Sequence, residues 1–256
     1  MKLSSIFATL ALLLLTAAFT FPVVAFHGTL HKVQAEKPEE ITPLAKKVWN
    51  TYNKGRYKST FTPKSAYNNL EEMVESGSEV GAASLPIWLV SLEAPNYPKR
   101  SFPDGIPVYF HFDGYSGEVH EMDIINHYVG MHSMWDGGQI EREAGPYALL
   151  LLSMAVIFFI AYRSKIWTLA MWVVAFLPAF FVGLFVYWLD WFADNLSDTA
   201  AFKLKNFVPT AFGDGKVAQF TSFSYPDIGF YVLLVISALS LLAIYFRGRE
   251  RRVDFN

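Results

Sequence analysis

Four stretches of this sequence carry no charged or histidine side chain: Leu3–Phe26, Ala144–Tyr162, Ile166–Leu189 and Ile228–Phe246. They run to 24, 19, 24 and 19 residues. About 20 apolar residues in a helix are enough to cross a hydrocarbon core roughly 30 Å thick. A lone segment in lipid must satisfy its backbone internally, so each run is expected as a helix. Charged residues make up 17% of the chain, against about 25% in soluble domains. The shortfall sits in these runs rather than being spread evenly. The fold class expected is therefore α+β: a multi-span α-helical membrane protein of three or four spans, with a small outer α+β domain. The number depends on the first run. It reads either as a secretory signal cleaved after Val23-Val24-Ala25 or as a retained anchor.

Charge sets the orientation. Lys2, Arg163, Lys165, Arg247, Arg249, Arg251 and Arg252 fall on one side of the spans. The opposite segments are acidic: residues 27–143 carry 11 basic and 16 acidic groups, and residues 190–227 carry 3 and 5. The positive-inside rule puts the basic side in the cytoplasm. The expected organisation is an anchor or signal segment at 1–26 and an outer, periplasmic-side α+β domain at 27–143. A transmembrane helical hairpin at 144–189 comes next, then an aromatic outer loop at 190–227, a last transmembrane helix at 228–246 and a basic cytoplasmic tail at 247–256. The location expected is the cytoplasmic (inner) membrane, with lipid as a partner. Pro178 should kink the third span.

Within the outer domain, Pro38–Gly55 and Pro63–Glu79 show helical spacing, and Ser76–Ser84 reads as a linker. Strands are expected at Pro86–Glu93 and Ile106–Phe112. A turn at Asp113–Gly117 should return the chain as a third strand, Glu118–Ile125. The segment 190–227 is too polar to span and too aromatic to be free, with Phe202, Phe207, Phe212, Phe220, Phe223 and Tyr225 along it. It should pack against the outer domain or a partner, with Gly213-Asp214-Gly215 as a turn.

Glu118–Met134 (EVHEMDIINHYVGMHSM) holds three of the six histidines and three of the seven methionines. There is no cysteine, which excludes thiolate sites, iron–sulfur clusters and disulfides. Imidazole and thioether groups at this density point to a soft metal, copper first. The candidate ligands are His120, Met122, His127, Met131, His132 and Met134. A strand through 118–125 would set His120 and Met122 on one face. A helical turn after Asn126 would align His127, Met131 and Met134. Glu118, Glu121 and Asp123 would draw cations in, and His111 is a further imidazole candidate. His27 and His31, just past the first run, are expected at interfacial water or a partner. A structural alternative stands beside this reading: Met122, Ile124 and Ile125 as core, His127 and Tyr128 hydrogen-bonded, Gly130 a turn and Met131 a gap filler.

The run Ile124–Met131 (IINHYVGM) resembles the NHYIGM signature of small membrane accessory proteins encoded beside nitrous oxide reductase and other copper systems. Further similarity lies in Ala94–Pro98 (APNYP), Gly105, Asn195-Leu196, Ala218–Thr221 (AQFT) and Ser224–Pro226 (SYP), between about residues 85 and 230. The resemblance implies an outer domain with a few spans in a copper-related setting, and carries over His127 and Met131.

Two functions are expected to compete. One is a membrane-anchored copper-handling accessory protein that supports assembly or metal loading of an extracytoplasmic copper enzyme. The other is a non-catalytic structural subunit of a membrane-bound enzyme or electron-transfer complex, held to its partner through 190–227 and the outer domain. No nucleophile elbow, phosphate loop, HExxH or paired-carboxylate motif is present, so no enzyme is expected. The absence of ionisable residues from the spans argues against a proton-coupled transporter and a membrane cytochrome. The acidic outer face argues against nucleic acid.

Overall fold

The computed structural model describes residues 2–26, 82, 84–93, 105–196, 207–217 and 219–253. The helices expected at Pro38–Gly55 and Pro63–Glu79, most of the Ser76–Ser84 linker, His27, His31, Ala94–Pro98 and Phe202 lie outside these residues. Helix α1 (Leu3–Leu15) continues through a π turn (Thr16–Thr20) into α2 (Phe21–Phe26). The sheet comes next, with β1 (Trp88–Glu93), β2 (Ile106–Phe110) and β3 (Tyr115–Gly117). After it come α3 (Val119–Val129), α4 (Gln139–Ala161), α5 (Lys165–Ala175) and α6 (Leu177–Asp194). Strands β4 (Gly213–Val217) and β5 (Phe220–Pro226) precede the last helix, α7 (Ile228–Val253).

Four helices are long and apolar enough to cross a membrane: Leu3–Val24, Gln139–Ala161, Leu177–Asp194 and Ile228–Val253. Their apolar inner faces meet in one core that includes Ala8, Leu15, Val156, Phe159, Leu177 and Ile236, joined by Met171 of α5. Apolar side chains outside this core stay exposed, among them Leu151, Leu169, Val173, Phe176 and Phe180. This pattern fits a membrane-associated bundle, since lipid does not oppose apolar exposure.

The run 166–189 is two helices rather than one. The break falls at Phe176, two residues before Pro178, which sits in the first turn of α6. Proline has no N–H to donate and crowds the preceding turn. The Ser237 hydroxyl of α7 donates to the Ala175 carbonyl at the break, 2.5 Å away. Such side-chain repair is how spanning helices tolerate proline.

The sheet is antiparallel throughout, in the order β3-β2-β1-β5-β4. Its two halves come from segments 96 residues apart, Gly117 to Gly213, with three strands before α3 and two from the segment between α6 and α7. The turn expected at Gly213–Gly215 is therefore strand. The segment between the spans is not a cover for the domain but part of its sheet. Trp88 faces Phe110 on one side and Pro226 on the other, and Val90 faces Val108 and Ser224.

This sheet is seated on the helices. The Trp88 ring lies 5.4 Å from Phe185 of α6 and 5.3 Å from Phe230 of α7. Phe112 packs edge-on against Phe19 at 5.3 Å. Backbone bonds fix the joint: Gly229 N–H donates to the Pro86 carbonyl at 2.7 Å, and Leu85 N–H to the Ala18 carbonyl at 3.2 Å.

At the basic end, α7 runs on past Phe246, and Arg247 is buried rather than part of a solvated tail. Its guanidinium donates to the Phe159 carbonyl at 2.7 Å and the Tyr162 carbonyl at 3.1 Å, closing the last turn of α4. Its Nε donates to Ser4 Oγ at 3.2 Å, and Ser4 Oγ donates to Glu250 at 2.7 Å. Three helix ends are thus tied by one side chain. Helices need such partners for their last carbonyls, and a buried charge is held only when fully bonded. Arg247→Met should lower stability by about 3 kcal/mol, with Arg247→Lys in between. Thermal melting of the detergent-solubilised chain checks this, and an unchanged midpoint in Arg247→Met would contradict the assignment.

Candidate functional site

The histidine–methionine segment departs from the expected strand. Strand β3 stops at Gly117, whose φ of 90° turns the chain; a Cβ there would lie 2.4 Å from the Pro107 carbonyl oxygen. From Val119 the chain is helical. Val119, Met122, Ile125 and Val129 are buried at three- and four-residue steps, which is a helical period. The helix ends at Gly130, with φ 84°. Met131 N–H donates back to the Asn126 carbonyl at 2.8 Å, the six-to-one bond of a Schellman close. A helical turn running on to Met134, as expected from the spacing, is thereby excluded.

Asp123 fixes the loop beyond the helix. It is fully buried, and its Oδ1 accepts from Met134 N–H at 2.8 Å while Oδ2 accepts from Ser133 Oγ at 2.7 Å. The expectation that Asp123 draws cations toward the segment is replaced by this role: it latches the loop after Gly130 back onto α3. Burial pushes its pKa up to about 7; the bonds from Met134 and Ser133 oppose the shift and Asp136 adds to it.

The latch carries Met134 into an apolar cluster with Val108, Tyr115, Val119 and Met122. Met122 and Met134 therefore come together, but among carbon neighbours. Met131 is half-buried and lines an open groove beside α4. The His132 ring turns away: its Nδ1 lies 3.3 Å from Asp136, and the ring centroid 5.2 Å from that of Trp191. The side chains of His120 and His127 lie outside the described residues. Their backbone positions are two turns apart on the stripe of α3 opposite Met122, about 10.5 Å along the axis. One α3 stripe thus holds the methionine position and the other both histidine positions. Among the described residues no group of three or more histidine, cysteine, aspartate or glutamate side chains is placed to hold a metal.

His111, the further imidazole candidate, is satisfied in place. Its Nδ1 donates to the Ser84 carbonyl at 2.8 Å, so Nε2 accepts from Ser116 Oγ at 2.8 Å. Burial lowers its pKa, against the pull of the Ser84 bond and nearby Asp113 and Asp227.

A second polar constellation, with no motif in the sequence to mark it, surrounds the start of α4. Arg142 donates to Tyr115 Oη at 2.8 Å and also to the Gly137 carbonyl, and its guanidinium stands 4.9 Å from the Tyr115 ring centroid. Burial pushes the Tyr115 hydroxyl up to about 12. Trp188 Nε1 donates to Glu141 at 3.1 Å. These contacts crown the groove, which has a volume of about 1010 Å³ and is bounded by the sheet, α3, α4, α5 and α6. No protein-family model, curated protein or solved structure matches the chain.

The Asp123 latch has a pH signature. The folded carboxyl keeps its proton to a higher pH than the ordinary 3.8. The folded state therefore binds more protons than the unfolded one, and stability falls as pH rises from near 3.8 through about 7. Asp123→Asn keeps an acceptor but cannot ionise, so its melting midpoint should lose that slope. Thermal melts across this range check it, and parallel profiles for both proteins would contradict it.

Proposed function

We propose that the chain is a non-catalytic accessory subunit anchored in the cytoplasmic membrane, its sheet layer on the periplasmic side, holding a larger enzyme or electron-transfer complex. The observation that carries this reading is the aromatic edge of the sheet. Phe212 is 66% exposed, Val208 60% and Tyr225 40%, beside a strand pair built into the fold. Phe212 and Tyr225 pack edge to face at 5.8 Å, so the patch is preformed. Exposed aromatic clusters on a rigid base are typical anchors for a protein partner. The basic residues at the α4–α5 turn and the end of α7 support the orientation. The burial of Ala8, Ala11, Leu15 and Phe19 in the bundle supports a retained anchor.

Copper handling remains a second reading, favoured by the NHYIGM-like run. Its ligands would then come from the His120 and His127 stripe together with groups from the partner. Met122 and Met134, committed to the apolar cluster, would take no part.

Affinity purification of the full chain in mild detergent separates the readings. A stoichiometric larger partner is expected, with capture lost in Val208→Asp, whose exposed side chain lies outside the Trp88 seat, while melting is unchanged. A clean monomer in the wild type would overturn the subunit reading. Cu(I) competition titration should find no tight ion. One ion bound per chain and lost in His120→Ala/His127→Ala would move the assignment to copper handling.

A further inference from the structure

The groove between the helices and the sheet is a site in its own right. One wall is α4, where Ala144 and Ala148 are small and exposed and Leu151 lies at the next turn. The other wall is α6, where Phe180, Leu184 and Trp188 recur every fourth residue. The inner end reaches Leu169 and Val173 of α5, beside the helix break, and both side chains are exposed. The roof is the sheet, with Val108, Phe220 and Ser222. Along α4 the groove runs from Gly138 to Leu152. At 1.5 Å per residue that is about 21 Å, somewhat longer than the roughly 15 Å that one leaflet's chains fill.

We propose that this groove holds one acyl chain of a membrane phospholipid, which enters sideways between α4 and α6 and lies with its ester head under the sheet and its hydrocarbon along α4. Three observations point to this occupant rather than to a protein segment. The open side lies among exposed apolar residues of span-length helices, so what meets it is lipid. The two helical walls bear no ionisable group beyond Glu141 and Arg142, and the ionisable groups at the sheet side, His111 and Tyr115, are already hydrogen-bonded within the protein, so a hydrocarbon loses little by entering. At the roof, the Ser222 hydroxyl is buried with no hydrogen-bond partner among the described residues. A buried hydroxyl of this kind wants an acceptor, and an ester carbonyl at the head of the chain is one. The choice of leaflet rests on the orientation proposed above; occupancy does not.

Native mass spectrometry of the full chain released from detergent tests the proposal, with added palmitoyl-oleoyl phosphatidylethanolamine as probe. The wild type should keep one phospholipid. Ala148→Trp fills the groove, and a pocket that loses its fit should release the lipid by at least about tenfold. Ala144→Leu serves as a milder filling should Ala148→Trp fail to fold. Leu242→Trp, on the exposed face of α7 and outside the groove, should keep the adduct. Equal retention in the filled and control variants would mean unselective surface lipid and overturn the proposal. So would a wild type carrying no lipid, or carrying an isoprenoid mass in its place. None of these outcomes depends on partner capture, so the two readings fail separately.

Discussion

The seat of Trp88 is the contact on which the rest of the structure depends. Its indole lies between α6 and α7 and carries its neighbours Phe110 and Phe212 with it. Its N–H is not left bare in this apolar setting: it donates to Ser224 Oγ of β5 at 2.9 Å, and Ser224 in turn donates to the Ala211 carbonyl at 2.9 Å. Buried indoles are retained when the ring is packed and the N–H is bonded, and both conditions hold. Without this plug, the joint between the sheet and the helices would rest on Phe112 against Phe19 and on the backbone bonds at Leu85 and Gly229.

That arrangement explains why β5 could not be read from its sequence. Phe220–Pro226 alternates, but with Ser222 and Ser224 inward and Phe223 and Tyr225 on the other face. The usual sign of the pattern is reversed, because the inward face must leave room for Trp88 and a bonding partner for it. Three of the four span-length helices, by contrast, were legible at once, since loss of charge over some twenty residues has few other meanings, whereas the run 166–189 breaks at Phe176 into two helices. The first helix is less regular than its composition implies, with a π turn at Thr16–Thr20 where the Thr20 hydroxyl meets Ser153 Oγ at 2.9 Å. Arg247 was hidden for the opposite reason: in sequence it belongs to a run of cationic residues, and only packing shows that it closes α4.

The histidine–methionine segment shows how density along a chain differs from convergence in space. MDIIN fits a short strand and a helix equally well, since a few apolar residues cannot fix a period. The helix that forms divides the segment into stripes. Burial takes Met122 and Met134, whose flexible thioethers pack with Val108 and Tyr115, and leaves Met131 half-buried at the groove. The unusual chemistry then falls to Asp123, a carboxyl closed off from water and held by its own loop. Its position within an otherwise apolar stretch was the available signal, though it reads as well for a surface charge.

The central claim is that sheet and helices form one cooperative body joined at Trp88, and hydrogen exchange of the full chain in detergent tests it most directly. In the wild type, amides of β1 and β5 should be protected together. Trp88→Ala, a truncation of the kind that costs about 3–5 kcal/mol in a core, should raise exchange in both strands and around Phe181–Phe185 while leaving α1 unchanged. Undiminished sheet protection in Trp88→Ala would contradict the account.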